Sequence, residues 1–234
     1  MMVKNVFQDV QRVQKSAFWF GVGCACVGTY IAYRFWRQSE RKLIDEGFEE
    51  VSEVEDGEEK RIVLLGLSGA GKTSIVDQLC IAPAEYKAHT IPQPTQGSTI
   101  YRIKNGTKGY YIWDIGGTNP TKKYWGAFLQ DTNLLVFVVD SSDYDKLPQV
   151  VTTLKELLGD SRIGNVPILV IANKQDCPDA LNPEKMREVL DLLSIPQHKH
   201  NVEILPCATR PLPHGSWHHD SIDAVRKKIF EMAT

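Results

Sequence analysis

The feature that most constrains this 234-residue chain is the segment 66-GLSGAGKTS-74. It fits the pattern G-x-x-x-x-G-K-[ST] and lies between the strand-like segment 61–66 and a helical pattern over 72–80, as that motif requires. Glycines allow consecutive backbone N–H groups to wrap a phosphate chain at the start of a helix. Lys72 would then reach the terminal phosphates, and the Thr73 hydroxyl would bind Mg²⁺. The segment predicts a phosphate-binding loop between a strand and a helix, but it does not identify the base.

Strand-like and helix-like segments alternate from Lys60 onward. The strand-like segments are 61–66, 98–103, 109–114, 134–140, 167–173 and 202–207, and the helical patterns cover 72–80, 146–158, 183–193 and 219–232. The apolar runs 134–139 and 167–171 lack alternation, as expected of strands that are covered on both faces. A helix start is expected at 182-NPE-184, which offers an N-cap residue followed by proline. This order predicts a doubly wound α/β domain with a six-stranded, mostly parallel sheet, helices on both faces and ligands at the carboxyl ends of the strands.

The segment 173-NKQD-176 stands where the fifth predicted strand ends. A carboxylate at Asp176 can accept hydrogen bonds from both N1–H and the 2-amino group of guanine, whereas adenine has no matching pair of donors. Farther along, 207-CAT-209 follows the last predicted strand and could bring a backbone N–H to the guanine carbonyl oxygen. These two segments predict that the bound nucleotide is a guanine nucleotide.

Five segments, in this order and spacing, resemble the Arf and Arf-like branch of the small GTPases: 66-GLSGAGKTS-74, 94-PTQG-97, 113-WDIGG-117, 173-NKQD-176 and 207-CAT-209. The resemblance covers about residues 60–232. It implies the small-GTPase fold of the P-loop nucleoside triphosphatases, with GTP or GDP and Mg²⁺ as ligands. The glycines after the aspartate would permit the backbone to approach phosphate and to flip when the phosphate leaves.

The resemblance also assigns roles to individual residues. Thr95 would sense the γ-phosphate and Mg²⁺, Asp114 would hold the magnesium through water, and Gly117 would offer its N–H to the γ-phosphate. The metal is thus expected at Thr73, Thr95 and Asp114, and the catalytic positions are Gly117 and Thr118. The expected nucleotide-binding residues are Gly66, Leu67, Ser68, Gly69, Ala70, Gly71, Lys72, Thr73, Ser74, Thr95, Asp114, Gly117, Asn173, Lys174, Asp176, Cys207, Ala208 and Thr209.

Three departures from the branch bear on function. Its members usually begin Met-Gly and carry a myristoylated helix that GTP binding releases, whereas this chain begins Met-Met and lacks the acceptor glycine. Ser68 stands where the branch often has aspartate, a change that we expect the loop to tolerate. Thr118 stands where the branch has the glutamine that orients the attacking water, and threonine is too short for the same work. The chain looks most like a membrane-anchored Arf-like subgroup with an N-terminal span, an acidic spacer and a substituted glutamine.

The run 16–33 contains no charged residue, and aromatic side chains crowd the ends of 16–36. Eighteen helical residues span about 27 Å, which is enough for a thin bilayer. We therefore expect a short segment 1–15, a transmembrane helix 16–36, an acidic spacer 37–59 and a GTPase domain 60–234 that faces the cytosol. A buried core helix is disfavoured because such helices are seldom so uniformly uncharged. A cleaved signal peptide is disfavoured because it would export a nucleotide-dependent domain.

The predicted span leaves several questions open. Small residues on one helical face would let two spans pack as a dimer, although such stripes also occur by chance; they are Gly21, Ala25, Gly28 or Thr29, and Ala32. Cys24 and Cys26 are either acylation sites or small apolar fillers. A short anchor flanked by basic residues favours the mitochondrial outer membrane and leaves the endoplasmic reticulum open.

Charge and cysteine content narrow the classes of partner and compartment. The net charge is +5 over residues 1–44, −9 over residues 45–59 and +2 over residues 60–234. The domain therefore lacks the concentrated basic face that nucleic-acid binding would require. The five cysteines show neither a paired framework nor a metal-ligand spacing, and we expect free thiols. The late histidines are expected to be solvated loop residues; they are His198, His200, His214, His218 and His219.

Together these patterns predict a membrane-anchored Arf-like GTP/GDP switch with weak intrinsic hydrolysis, acting through protein effectors and regulators that the sequence does not identify. The alternative is a GTP-loaded scaffold that binds nucleotide without cycling. Intact Lys72, Thr73, Thr95 and Asp114 favour the switch, whereas Thr118 favours the scaffold. An ATPase or a nucleotide kinase is disfavoured by the guanine-specific motif.

Overall fold

The computed structural model describes residues 59–80, 94–196, 198–209 and 220–234. In these residues six strands form one sheet in the order β2-β3-β1-β4-β5-β6. The strands are β1 (Glu59–Leu65), β2 (Ser98–Asn105), β3 (Lys108–Ile115), β4 (Leu134–Asp140), β5 (Ile168–Asn173) and β6 (Val202–Pro206). Only β2 runs antiparallel, as a hairpin with β3 in which Thr99 lies opposite Asp114. The predicted six-stranded, mostly parallel sheet is confirmed.

Helices cover both faces of the sheet. They are α1 (Lys72–Cys80), α2 (Asn119–Lys122), α3 (Trp125–Phe128), α4 (Leu147–Gly159), α5 (Pro183–Val189) and α6 (Asp220–Met232), with 3-10 turns at Tyr144–Lys146, Ser161–Ile163 and Leu192–Ser194. One core lies between the sheet and helices α3, α4 and α5. The other lies between the sheet and helices α1 and α6. Every residue of β5 is buried, which explains why its sequence shows no alternation.

Helix α5 begins as the sequence predicts but ends earlier. The Asn182 side chain caps it by accepting a hydrogen bond from the Lys185 N–H at 2.8 Å. The predicted helix 183–193 stops at Val189 because Asp191 adopts a left-handed conformation with φ of 54°. The rest of the predicted segment becomes the 3-10 turn Leu192–Ser194.

The prediction of solvated late histidines is wrong for His200, which is only 2% exposed. Its Nδ1 lies 2.9 Å from the Val166 carbonyl oxygen, at the edge of the sheet where β5 and β6 begin. This hydrogen bond compensates one ring nitrogen for the loss of water, so that the ring can be buried. His198 is exposed, and the other three predicted positions lie outside the described residues. The described part of the chain holds no group of three or more His, Cys, Asp or Glu side chains placed to share a metal ion.

Most of the N-terminal predictions lie outside the described residues: 1–15, 16–36 and all of the spacer 37–59 except Glu59. None of the helices within the described ranges is long and apolar enough to cross a membrane. Of the cysteines, Cys80, Cys177 and Cys207 are described, and all three are free thiols as expected.

Candidate functional site

The phosphate loop connects β1 to α1 at the carboxyl edge of the sheet. Its second and third glycines, Gly69 and Gly71, have φ of 84° and 90°, a conformation that favours glycine. At Gly71 there is also no room for a side chain, since a Cβ atom would lie 2.3 Å from Nδ2 of Asn173. The path of the loop therefore depends on glycine where it meets the segment 173–176.

The Lys72 side chain lies under this loop and is 6% exposed. Its Nζ donates to the carbonyl oxygens of Gly66 at 2.8 Å and Leu67 at 3.2 Å. Burial lowers the pKa of Lys72, and the nearby Asp114 carboxylate partly offsets that effect. Two neutral carbonyl groups compensate a buried ammonium group poorly, so a polyanionic ligand at the loop would stabilise its charged form.

Three oxygen-bearing side chains meet beside the loop. Thr73 Oγ1 donates to Asp114 Oδ2 at 2.6 Å, and Thr95 Oγ1 lies 2.9 Å from Thr73 Oγ1. Asp114 is fully buried, and its Oδ1 makes no hydrogen bond to any described residue. Burial raises the pKa of Asp114, while the Thr73 hydroxyl and the Lys72 charge act in the opposite direction. Hard oxygen donors with an uncompensated carboxylate oxygen fit Mg²⁺.

The two glycines after Asp114 bring the end of β3 against the phosphate loop. The Ser68 N–H donates to the Gly117 carbonyl at 3.1 Å, and a Cβ atom on Gly117 would lie 2.2 Å from the Gly66 carbonyl oxygen. The Trp125 indole donates to the Gly116 carbonyl at 2.9 Å. The close backbone approach requires glycine at 117. The Trp125 bond links the same segment to helix α3.

Thr118, the predicted catalytic position, is the N-cap residue of α2. Its hydroxyl makes no capping bond to the backbone and lies instead 2.6 Å from the Thr121 hydroxyl. No hydrogen bond of the Thr118 side chain to the phosphate loop is found among the described residues. The structure thus brings Gly117 into contact with the loop, whereas Thr118 only follows Gly117 in the chain.

The predicted base-reading segment follows β5. The Asn173 amide nitrogen donates to the Ala70 carbonyl at 2.8 Å, which ties this segment to the phosphate loop. Lys174 has a φ of 64°, and its ammonium group pairs with Asp140 at the end of β4. The side chain of Asp176 is exposed, where a base could reach it.

The segment 207–209 is anchored on several sides. The Cys207 N–H donates to the Ala172 carbonyl at 2.9 Å, and the Ala208 N–H donates to Ser221 Oγ at 3.1 Å. The buried Gln78 side chain of α1 donates to the Thr209 carbonyl at 2.6 Å. Two of the three N–H groups in this segment therefore already have partners inside the protein.

Several residues that hold the site together were not predicted from the sequence. They are Gln78, Thr121, Trp125, Asp140 and Ser221. Asp140 had a signal, because it ends an apolar run beside the strand that carries 173-NKQD-176. The other four residues stabilise the site through contacts with residues distant in sequence or through the orientation of a hydroxyl group. Neither kind of contact produces a local sequence pattern.

The chain is similar to known proteins in sequence and in fold. The sequence profile of the family described as Arf, the ADP-ribosylation factor family, matches residues 48–214. The chain is 40% identical over 137 residues to ADP-ribosylation factor-like protein 3 of Chlamydomonas reinhardtii, across 58% of this chain and 75% of that protein. It is also similar to the solved structure of the Arl6 BBS3 small GTPase from Trypanosoma brucei with the bound nucleotide analogue GppNp. That structure has a TM-score of 0.60 and 25% identity, and the match covers 74% of this chain and 99% of that one. The chain therefore belongs to the ADP-ribosylation factor family of small GTPases.

Proposed function

We propose that this protein is a GTP-binding switch that holds GTP or GDP together with Mg²⁺ at the carboxyl edge of its sheet. The observation that carries the proposal is the cluster of Thr73, Thr95 and Asp114 beside the phosphate loop. The three residues come from different segments: Thr73 from α1, Asp114 from β3 and Thr95 from the segment before β2. The position of Thr95 can therefore report whether a γ-phosphate and metal are present. Mg²⁺ would neutralise charge on the phosphates, and Lys72 would add a second positive charge.

Guanine selectivity is proposed to rest on Asp176. Its carboxylate offers paired acceptors to N1–H and the 2-amino group of guanine. Asn173 braces this segment against the phosphate loop, so the base site and the phosphate site are held at a fixed separation. Lys174 and the segment Cys207–Thr209 complete the proposed base site.

Hydrolysis is proposed to be slow. Water attacks the γ-phosphorus, and the bond to the bridging oxygen breaks with its electron pair going to GDP. The protons of the water pass to phosphate oxygen and to solvent. The family glutamine that orients this water is replaced by Thr118, so the protein is expected to remain GTP-bound for long periods.

The test is a titration of the full-length protein with labelled GDP, GTP and ATP in the presence of Mg²⁺. We expect GDP and GTP to bind much more tightly than ATP. Thr73→Val, which removes one oxygen from the cluster at nearly constant volume, should weaken the Mg²⁺-dependent part of GTP binding. Thr152→Val is the matched control, because the exposed Thr152 hydroxyl only bonds the Pro148 carbonyl on α4. Equal affinity for ATP and GTP would overturn the proposed specificity.

Single-turnover hydrolysis then separates the switch from a nucleotide-loaded scaffold. Full-length protein preloaded with GTP is compared with Thr118→Gln, which restores the longer amide and should speed hydrolysis several-fold. A wild type that binds GTP tightly and shows no hydrolysis over many hours would favour the scaffold. A wild type as fast as glutamine-bearing relatives would show that another group orients the water.

We further propose that residues 16–36 anchor the protein in a membrane with the GTPase domain facing the cytosol. The mitochondrial outer membrane is favoured over the endoplasmic reticulum, and protein effectors and regulators are expected to bind there. Extraction of membranes at alkaline pH should leave the full-length protein in the pellet with either GDP or GTP bound. Deletion of residues 1–37 should release it. Recovery of the full-length protein in the supernatant would remove the anchor from the proposal.

A further inference from the structure

The side chains of Thr118 and Thr121 form a hydroxyl pair whose oxygens are 2.6 Å apart. Thr121 Oγ1 also lies within hydrogen-bond distance of the Thr118 carbonyl oxygen, at 3.2 Å. We propose that Thr121 is a positioning residue for the slow GTP hydrolysis: it orients the Thr118 hydroxyl so that its oxygen accepts a hydrogen bond from the attacking water and supplies part of the orientation that the longer glutamine gives in the family. This inference rests on the proposed function, because it requires GTP to be bound and hydrolysed.

The hydroxyl pair leaves an acceptor on Thr118 in either direction of donation. Each hydroxyl has a single proton to donate and two lone pairs that can accept. Either hydroxyl can supply the proton of the 2.6 Å contact, since the Thr118 carbonyl oxygen already accepts two backbone N–H groups. At least one lone pair of Thr118 Oγ1 therefore remains for another donor, and the contact with Thr121 fixes the position of that oxygen. A fixed acceptor can hold one O–H of a water molecule and thus turn its oxygen toward phosphorus.

The pair is not needed to cap helix α2. A threonine at the N-cap position ordinarily accepts a backbone N–H with its side chain. Here the N–H groups of Thr121 and Lys122 both donate to the Thr118 carbonyl oxygen at 3.0 Å, and the hydroxyl takes no part. The hydroxyl of Thr118 is therefore available for a role other than helix capping.

The pair also lies next to the proposed reaction site. Thr118 directly follows Gly117, whose carbonyl accepts the Ser68 N–H of the phosphate loop. The Thr121 side chain packs on Gly116, where a Cβ atom would lie 3.0 Å from Thr121 Oγ1 and 2.4 Å from the Thr95 carbonyl oxygen. The turn 118–121 is thus in contact with the segments that are proposed to surround the γ-phosphate.

Three variants of the full-length protein test the inference. Thr121→Val removes the hydroxyl at nearly constant volume, Thr121→Ser restores it, and Thr152→Val is the matched control on α4. The main measurements are the single-turnover rate constant for GTP hydrolysis and the affinity for GDP with aluminium fluoride, a mimic of the transferring phosphoryl group. The affinities for GDP alone and for GppNp serve as controls for ground-state binding.

We expect Thr121→Val to lower the rate constant about five- to tenfold, as loss of one hydrogen bond in the transition state allows. It should weaken binding of GDP with aluminium fluoride by a similar factor and leave the affinity for GDP within about twofold. Thr121→Ser should regain most of both losses, and Thr152→Val should match the wild type.

Two results would overturn the inference. An unchanged rate constant in Thr121→Val would show that the hydroxyl pair is incidental. Equal weakening of GDP, GppNp and the aluminium fluoride complex would show that Thr121 only stabilises the fold. Absence of GTP binding by the wild type would instead refute the proposed function, and it is detected in the affinity measurements before any rate is compared.

Discussion

The bond between the Asn173 amide and the Ala70 carbonyl predicts that Asn173→Ala loosens the whole nucleotide site. Asn173 is fully buried and Ala70 is 3% exposed, so water cannot replace the lost donor without opening the structure. Removing the donor leaves a buried carbonyl group without a hydrogen bond, which costs about 1–3 kcal/mol. We therefore expect the free energy of unfolding to fall by about 2 kcal/mol.

Part of that loss should appear in nucleotide binding, because the bond joins the loop proposed to hold the phosphates to the segment proposed to hold the base. We expect the dissociation constant for GDP to rise about tenfold, which corresponds to about 1.4 kcal/mol. The assays are urea unfolding of the nucleotide-free protein and release of a fluorescent GDP on dilution.

Asn133→Ala is the matched control. Its side chain accepts the Arg61 N–H at 2.8 Å, at the opposite edge of the sheet from the nucleotide site. It should lower stability by about 1 kcal/mol and leave GDP release unchanged. The reasoning fails if Asn173→Ala changes GDP release by less than about twofold, or if the two variants accelerate release equally.

The remaining predictions concern base selection, close packing and thiol reactivity. Asp176→Asn should shift preference from guanine toward xanthine nucleotides in competition binding, since it exchanges one acceptor for a donor; unchanged preference would remove Asp176 from the base site. Gly117→Ala should lower the free energy of unfolding in urea by about 1–3 kcal/mol and abolish tight GppNp binding, because its Cβ atom would lie 2.2 Å from the Gly66 carbonyl oxygen. Gly159 has open space around it, so the control Gly159→Ala should bind GppNp as the wild type does. Burial raises the pKa of Cys207 to about 11, so at pH 8 only about one thiol in a thousand is ionised. Peptide mass spectrometry should therefore find iodoacetamide labelling of Cys207 slow in the native protein and fast in urea.

The sheet could be predicted from the sequence because strands that are buried on both faces show continuous apolar runs. The apolar runs that became β4 and β5 have no polar face, and the phosphate-loop motif predicted that β1 is followed by α1. Irregular backbone could not be predicted in the same way. The early end of α5 depends on a left-handed Asp191, a conformation that many sequences can avoid or adopt according to packing.

For the candidate site, the sequence indicated which residues converge but not what holds them there. The motifs predicted Thr73, Thr95 and Asp114 as one group, and the structure brings their oxygens together. The burial of His200 and the bond from Gln78 to Thr209 depend on partners 34 and 131 residues away. Contacts of this kind leave no periodic signal, because each is made by a single side chain.

The two cores lie on opposite faces of the sheet, and both reach the phosphate loop. Ala70 of that loop packs in the core shared with α1 and α6, and Leu67 packs in the core shared with α4. Trp125, which bonds Gly116 beside the proposed catalytic turn, belongs to the same core as Leu67. A substitution in either core is therefore expected to change both the stability of the fold and the affinity of the loop for its ligand. Lineages that inherit this domain can thus adjust the lifetime of a bound state by repacking either face of the sheet.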